Sequence, residues 1–287
     1  MTRDPLERSL RIGDVDLTLF DWPGREPAAL LVHATGFHAR CWDGVAAALD
    51  DVRLVAVDLR GHGTSSKRPP YGWSTFGQDM VALCERLEIE RWVGVGHSLG
   101  GHVVTQVAAI RPASFRALVL VDPVILPPEA YASLPAGFDE GTSHYTAKRR
   151  NRFDSPDAMY ARFKDRAPYS LWRPDVLRAY CMHGLVPDPD GGYRLACPPE
   201  VEASIYQSSR GFAIYDLIPK VRVPVVVLRA RSRDTAGPTV DFSSSPTWPQ
   251  LAAQFPTGRD VHVPELTHFI PMQEPELVAD YVREARG

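Results

Sequence analysis

Residues 92–101 read Trp92-Val93-Gly94-Val95-Gly96-His97-Ser98-Leu99-Gly100-Gly101. An apolar run enters Gly-x-Ser-x-Gly, and a stretch of small and apolar residues leaves it. The spacing has a mechanical reason. A serine at the apex of a sharp strand-to-helix turn holds a strained backbone, so Gly96 and Gly100 must leave room for the crowded chain on either side. The turn lifts the Ser98 hydroxyl clear of its neighbours and sets the N–H of Leu99 beside it. The pentapeptide alone would be weak evidence. The strand before it and the helix after it make it a nucleophile turn.

Strands and helices alternate outward from that turn. Ser9–Ile12 and Val15–Phe20 read as a hairpin joined at Gly13-Asp14. Ala29–Val32 is a short apolar strand ending at His33. A helix over 41–50, a strand over Val52–Val57 closed by Asp58, and a helix over Phe76–Leu87 follow. Arg91–Val95 leads to Ser98, Gly101–Ile110 is the next helix, and Ala117–Val121 is a strand closing at Asp122-Pro123. The rhythm stops over 124–215. There Pro, Tyr, Trp and Arg are dense and no clear strand shows, with helix-like pieces near 156–163, 174–182 and 199–207. It resumes at Val223–Leu228, a β-branched run of the kind buried in a parallel sheet. A helix near 247–255, a strand near Asp260–Val263 and a helix near Pro275–Ala285 complete the chain. This pattern predicts an α/β core over 1–123 and 216–287, with a mostly parallel sheet covered on both faces and an antiparallel hairpin at one edge. Residues 124–215 are expected to form a helical cap over the carboxyl ends of the strands, where open α/β sheets bind ligands.

The bulk numbers fit one such domain. The chain has 287 residues, of which 44% are hydrophobic and 23% charged, and a net charge of −3. That charge argues against nucleic acid as a partner, because phosphate neutralisation needs clustered Lys and Arg. The one basic run, Lys148-Arg149-Arg150-Asn151-Arg152, is short and reads as a solvated face. No stretch reaches the roughly 18 apolar residues of a membrane helix. Met1-Thr2-Arg3-Asp4-Pro5 has no apolar core behind it, so no signal peptide is read and a cytoplasmic location is expected. Cys41, Cys84, Cys181 and Cys197 form no CxxC pair and no metal-ligand spacing, so free thiols are expected in preference to a Cys181–Cys197 bridge.

A serine hydroxyl needs a base to take its proton, and that base is best a histidine held by a carboxylate. His268, in Pro264-Glu265-Leu266-Thr267-His268-Phe269, follows the last strand at the carboxyl edge of the sheet. His97 and His102 ride on the serine's own turn and helix and cannot easily face its hydroxyl. His62 reads as part of a structural turn. Two aspartates compete as the acid. Asp122 is fixed at a strand end. Asp234 has the more usual chain order but precedes a long Ser/Pro-rich loop. The choice stays open, with Asp122 narrowly ahead and Asp241 third. The oxyanion needs two preorganised N–H donors. Leu99 supplies one, and the loop His33-Ala34-Thr35-Gly36-Phe37-His38 the other, from Thr35 or, as the alternative, Phe37.

These residues together resemble the α/β-hydrolase superfamily. The resemblance rests on the elbow Gly96–Gly100, the loop His33–Phe37, the turn Asp58-Leu59-Arg60-Gly61-His62-Gly63-Thr64-Ser65 and the late Thr267-His268-Phe269, in that family's order. It implies an eight-stranded-type, mostly parallel sheet, a Ser-His-Asp triad and hydrolysis through an acyl-enzyme. Two departures stand out. The oxyanion loop reads His-Ala where many members have His-Gly, and the later acidic loop is displaced from the commonest Gly-x-x-Asp spacing, while Asp122 falls where lactonase-like and dehalogenase-like members carry their acid. Ser98 at the elbow argues against the dehalogenases and epoxide hydrolases of the superfamily, which use a carboxylate nucleophile. The expected activity is hydrolysis of a small-molecule carboxylic ester or lactone, with no metal and no organic cofactor. Two alternatives are a carbon–carbon bond hydrolase using the same triad and a non-catalytic small-molecule receptor. Tyr145, Tyr160, Tyr169, Trp172 and Tyr180 are candidates to line an acyl pocket. Oligomeric state is not legible in the sequence.

Overall fold

The computed structural model describes residues 4–132, 144–209, 211–232 and 243–287. In chain order the first half runs β1 (Leu6–Ile12), β2 (Val15–Trp22), β3 (Arg25–Val32), α1 (Asp43–Ala48), β4 (Val52–Val57), α2 (Trp73–Arg86), β5 (Trp92–His97), α3 (Leu99–Ile110) and β6 (Phe115–Val121). An inserted stretch holds α4 (Pro128–Ala132), β7 (Arg152–Phe153), α5 (Pro156–Phe163), α6 (Pro174–His183), β8 (Leu185–Pro187), β9 (Tyr193–Leu195) and α7 (Pro199–Ser208). The chain then returns through β10 (Val225–Ala230), β11 (Gly258–Val263), α8 (Ile270–Gln273) and α9 (Pro275–Arg286).

Eight strands form one sheet in the order β1-β2-β4-β3-β5-β6-β10-β11. From β4 to β11 every pairing is parallel, and the β1–β2 hairpin joins antiparallel through β2. Alternation along the strands sorts the core into two layers. Leu30 and Val32 of β3 face α2 and α3 with Met80, Leu83, Val103 and Val107. Ala29 and Leu31 point the other way, onto Val45, Leu49, Val278 and Val282 of the α1–α9 side. Burial of each such Val or Leu side chain contributes roughly 1.5–3 kcal/mol, so the helices are held by packing rather than by propensity. From β3 the chain steps to β4 on one side and later to β5 on the other. The carboxyl ends of β3 and β5 therefore flank a topological switch point, where a crevice opens.

Three expectations need correction. The inserted stretch is not strandless, because β7, β9 and β8 form a small antiparallel sheet. These strands have two or three residues, too few to show a period of two. The helix expected near 247–255 shrinks to a single 3₁₀ turn at Ala252–Gln254. The basic run is not a uniformly solvated face. Arg150 lies over the Phe153 ring and Arg152 pairs with Asp188 and Asp190, but Arg149 turns inward to Glu202. All four cysteines are free and buried.

Candidate active site

Ser98 sits between β5 and α3 with φ 56° and ψ −117°, a left-handed conformation that a non-glycine residue holds only under strain. The glycines around it meet the chain at close quarters. A Cβ on Gly96 would lie 2.3 Å from the carbonyl carbon of Gly100, and one on Gly100 would lie 2.0 Å from the Val32 carbonyl oxygen. The turn is pinned by the Ser98 N–H donating to Val121 O at 3.0 Å and by Ser98 O accepting from the N–H groups of Gly101 and Val124, both at 3.1 Å.

His268 reaches this serine from the loop after β11. Its Nε2 lies 3.1 Å from Ser98 Oγ, and its Nδ1 lies 2.6 Å from Asp122 Oδ2. With Asp122 accepting, Nδ1 carries the proton and Nε2 is left as the acceptor for the serine hydroxyl. Asp122 is wholly buried, and its Oδ1 accepts from the Ala230 N–H at 3.0 Å, Ser245 Oγ at 2.5 Å and Thr247 Oγ1 at 3.2 Å. These donors fix the carboxylate's rotation. Asp234 and Asp241 lie outside the described residues.

His97 does not face the serine. Its Nε2–H donates to the His268 backbone carbonyl at 2.8 Å, and burial pushes its ring well below the ordinary histidine range, so it stays neutral. His102 is likewise buried, and pushed down to about 3 by that burial. His62 does form part of a turn and also supports the loop after β3. Its Nε2 accepts from the Gly36 N–H at 3.1 Å, while His33 Nε2 accepts from the Leu59 N–H at 3.0 Å. Gly36 holds φ +77°, and a Cβ there would meet Glu202 Oε1 at 2.7 Å. Within this loop the Phe37 N–H is turned onto Ala34 O at 3.2 Å, and the Phe37 ring packs on Trp172, Tyr180 and Phe269. Thr35 lines the cavity with Ser98, and Leu99 starts α3 directly after the serine.

Above these residues lies a cavity of about 750 Å³ that includes Thr35, Ser98 and His268 in its wall. Tyr145, Tyr169 and Tyr180 line it as expected. Trp172 is instead packed against Phe37, Tyr180 and Phe269, and Tyr160 lies under the Arg178 guanidinium. Among the lining residues that escaped sequence reading are Arg149, Glu202 and Tyr206. Arg149 Nη1 lies 2.6 Å from Glu202 Oε2, and Nη2 lies 3.4 Å from the Tyr180 hydroxyl. Burial opposes the guanidinium's charge, but Tyr180 and Glu202 more than offset it, and Arg149 stays cationic. Burial raises the Glu202 carboxyl above its usual range, with Arg149 opposing. Among the described residues no group of three or more His, Cys, Asp or Glu is arranged to hold a metal ion. Among the same residues no helix is long and apolar enough to cross a membrane.

A family model described as the alpha/beta hydrolase family matches residues 29–281. A 2-(acetamidomethylene)succinate hydrolase of Mesorhizobium japonicum is 28% identical over 269 residues, 91% of this chain and 91% of that protein. A crystal structure of E-2-(acetamidomethylene)succinate hydrolase superposes with a TM-score of 0.76 at 25% identity, covering 98% of both chains. An uncharacterized protein of Mycobacterium tuberculosis is 42% identical over 100 residues, and that match spans only 34% of this chain and 29% of the relative.

Proposed function

This chain belongs to the alpha/beta hydrolase family, and from that membership we propose that it is a serine hydrolase cleaving a small-molecule carboxylic ester or lactone through an acyl-enzyme. The observation that carries the reading is the continuous hydrogen-bonded line from Ser98 Oγ through His268 to Asp122, with distances of 3.1 and 2.6 Å. Ser98 attacks the carbonyl carbon while His268 Nε2 takes its proton. Asp122 holds the imidazole in the Nδ1–H tautomer and stabilises the imidazolium as it forms. The N–H groups of Leu99 and Thr35 receive the oxyanion, since those of Phe37 and Gly36 are turned onto Ala34 O and His62. The imidazolium returns its proton to the leaving alkoxide. Water, activated by the same His268, then releases the acid and restores Ser98.

In this reading the stretch between β6 and β10 acts as a cap, and those of its described residues that line the cavity, Tyr145, Arg149, Tyr169, Tyr180 and Glu202 among them, set specificity. The full-length likeness to a relative named as a hydrolase supports the reaction class without fixing the substrate.

The test is turnover of an ester and lactone panel by the wild type and two variants. Ser98→Ala abolishes measurable turnover. Asp122→Asn, which leaves His268 free to take the wrong tautomer, lowers kcat by about 10³–10⁴-fold. Cleavage of a 1,3-diketone without ester turnover would replace the reading with carbon–carbon hydrolysis. Tight ligand binding with negligible turnover would replace it with a receptor.

A further inference from the structure

The Arg149–Glu202 pair lies in the wall of the cavity rather than inside a packed core. A buried ion pair in a core is weak evidence of anything beyond specificity of folding. Here the two partners differ in exposure. The Glu202 side chain is 6% exposed and the Arg149 side chain 24%, so the arginine is the member that faces the opening. A guanidinium has five N–H donors in a fixed fork. One goes to Glu202 at 2.6 Å, and another makes a long 3.4 Å approach to the Tyr180 hydroxyl. Glu202 fixes the plane of the fork without consuming it. Lys148 at the rim adds a second cation, so among the described lining residues two cations face one carboxylate.

Position matters as much as charge. Glu202 Oε1 is packed against Gly36, the residue after Thr35. The guanidinium therefore stands one carboxylate's width from the loop that would receive the oxyanion. An anion held there would lie near the carbonyl under attack. Its planar shape would match a carboxylate, which guanidinium binds through two parallel hydrogen bonds.

We propose that Arg149, oriented by Glu202, forms a carboxylate-binding subsite, and that the substrate is an ester or lactone bearing a free carboxylate close to its scissile bond. The subsite deepens the reading of Ser98 as nucleophile and rests on it. Arg149 contacts the substrate's carboxylate. Glu202 is a positioning residue that acts through Arg149.

The probes are monoethyl glutarate and its neutral amide isostere, ethyl 4-carbamoylbutanoate. The wild type prefers the acid by tenfold or more in kcat/KM. Arg149→Gln lowers that acid-to-amide ratio at least tenfold, and Arg149→Lys, which keeps the charge but not the fork, restores part of it. Glu202→Gln, which removes the charge that holds the fork in place but leaves the cation, lowers the ratio by a smaller factor than Arg149→Gln. A wild type indifferent to the charge overturns the proposal. So do Arg149→Gln and Glu202→Gln variants that weaken both substrates in step, the behaviour of a purely structural ion pair. Titration of Ser98→Ala with the same two compounds separates this proposal from the hydrolase reading. Binding of the acid at least tenfold tighter than the amide, lost in Ser98→Ala/Arg149→Gln, upholds the subsite even if the wild type turns over neither compound, an outcome that removes the hydrolase reading alone. Equal binding of acid and amide overturns the subsite whatever the turnover.

Discussion

Ser98 carries its own strain. At φ 56° and ψ −117° the side chain has a cost that glycine would not have. Strain of this kind amounts to about 1–3 kcal/mol. Ser98→Gly is therefore expected to unfold at a higher denaturant midpoint than wild type, with a gain in unfolding free energy of at most about 1–3 kcal/mol, while Ser98→Ala shows no comparable gain. Equal midpoints for the two variants would remove the strain argument. The meeting of Ser98 and His268 was legible because a strained turn demands glycines at fixed offsets and because His268 follows the last strand. Which aspartate stands beside His268 was not legible. Asp122 and Asp234 both follow strands at the same sheet edge, and nothing local separates them. What holds Asp122 in place comes from far along the chain: the Ala230 N–H, Ser245 and Thr247. The Ser/Pro-rich stretch that counted against Asp234 supplies two of those donors.

Among the elements, the loop after β3 is the most sensitive. Gly36 combines φ +77° with a Cβ position only 2.7 Å from Glu202 Oε1, and its N–H hangs on His62. Gly36→Ala brings about 1–2 kcal/mol of left-handed strain and pushes on the neighbouring Thr35 peptide. Loss of one oxyanion donor costs roughly 10²–10³ in kcat, so this variant is expected to lose activity on that scale with KM little changed. A fall in KM-linked affinity alone would show that the loop positions substrate rather than the oxyanion. The core elements were readable from periodicity because each is long enough to repeat it. The inserted stretch was not. Its three strands are too short to alternate, and Arg149 turns inward from a run whose neighbours Arg150 and Arg152 stay at the surface. A side chain's direction in an irregular segment depends on its partner, here Glu202 of α7, 53 residues further on.

For the whole molecule, buried histidines set the response to acid. His38 is pushed down to about 4 and His102 to about 3, both by burial, and burial also lowers His33, His62 and His97. Their folded pKa values lie below the ordinary 6.5, so the unfolded chain binds more protons as pH falls. The stability they contribute is complete above pH 6.5 and is lost toward pH 3–4. Each fully buried histidine contributes up to about 1.4 kcal/mol per pH unit in that window. Denaturation midpoints are expected to fall steeply below pH 6.5, and His102→Gln to flatten the slope by about one histidine's share. A flat profile between pH 6.5 and 4 would show that these rings are protonated in the fold. The same architecture brings these residues together: β3 and β5 lie side by side up to Val32 and Gly96, so Thr35 and Ser98 come next to each other beyond their carboxyl ends, and β6 and β11 deliver Asp122 and His268 beside them.

If Ser98 is activated by His268, a small fluorophosphonate labels it covalently, and intact mass reads the adduct. One adduct per wild-type chain and none on Ser98→Ala is the expected result. An unmodified wild type, or an adduct that persists on Ser98→Ala, would contradict it.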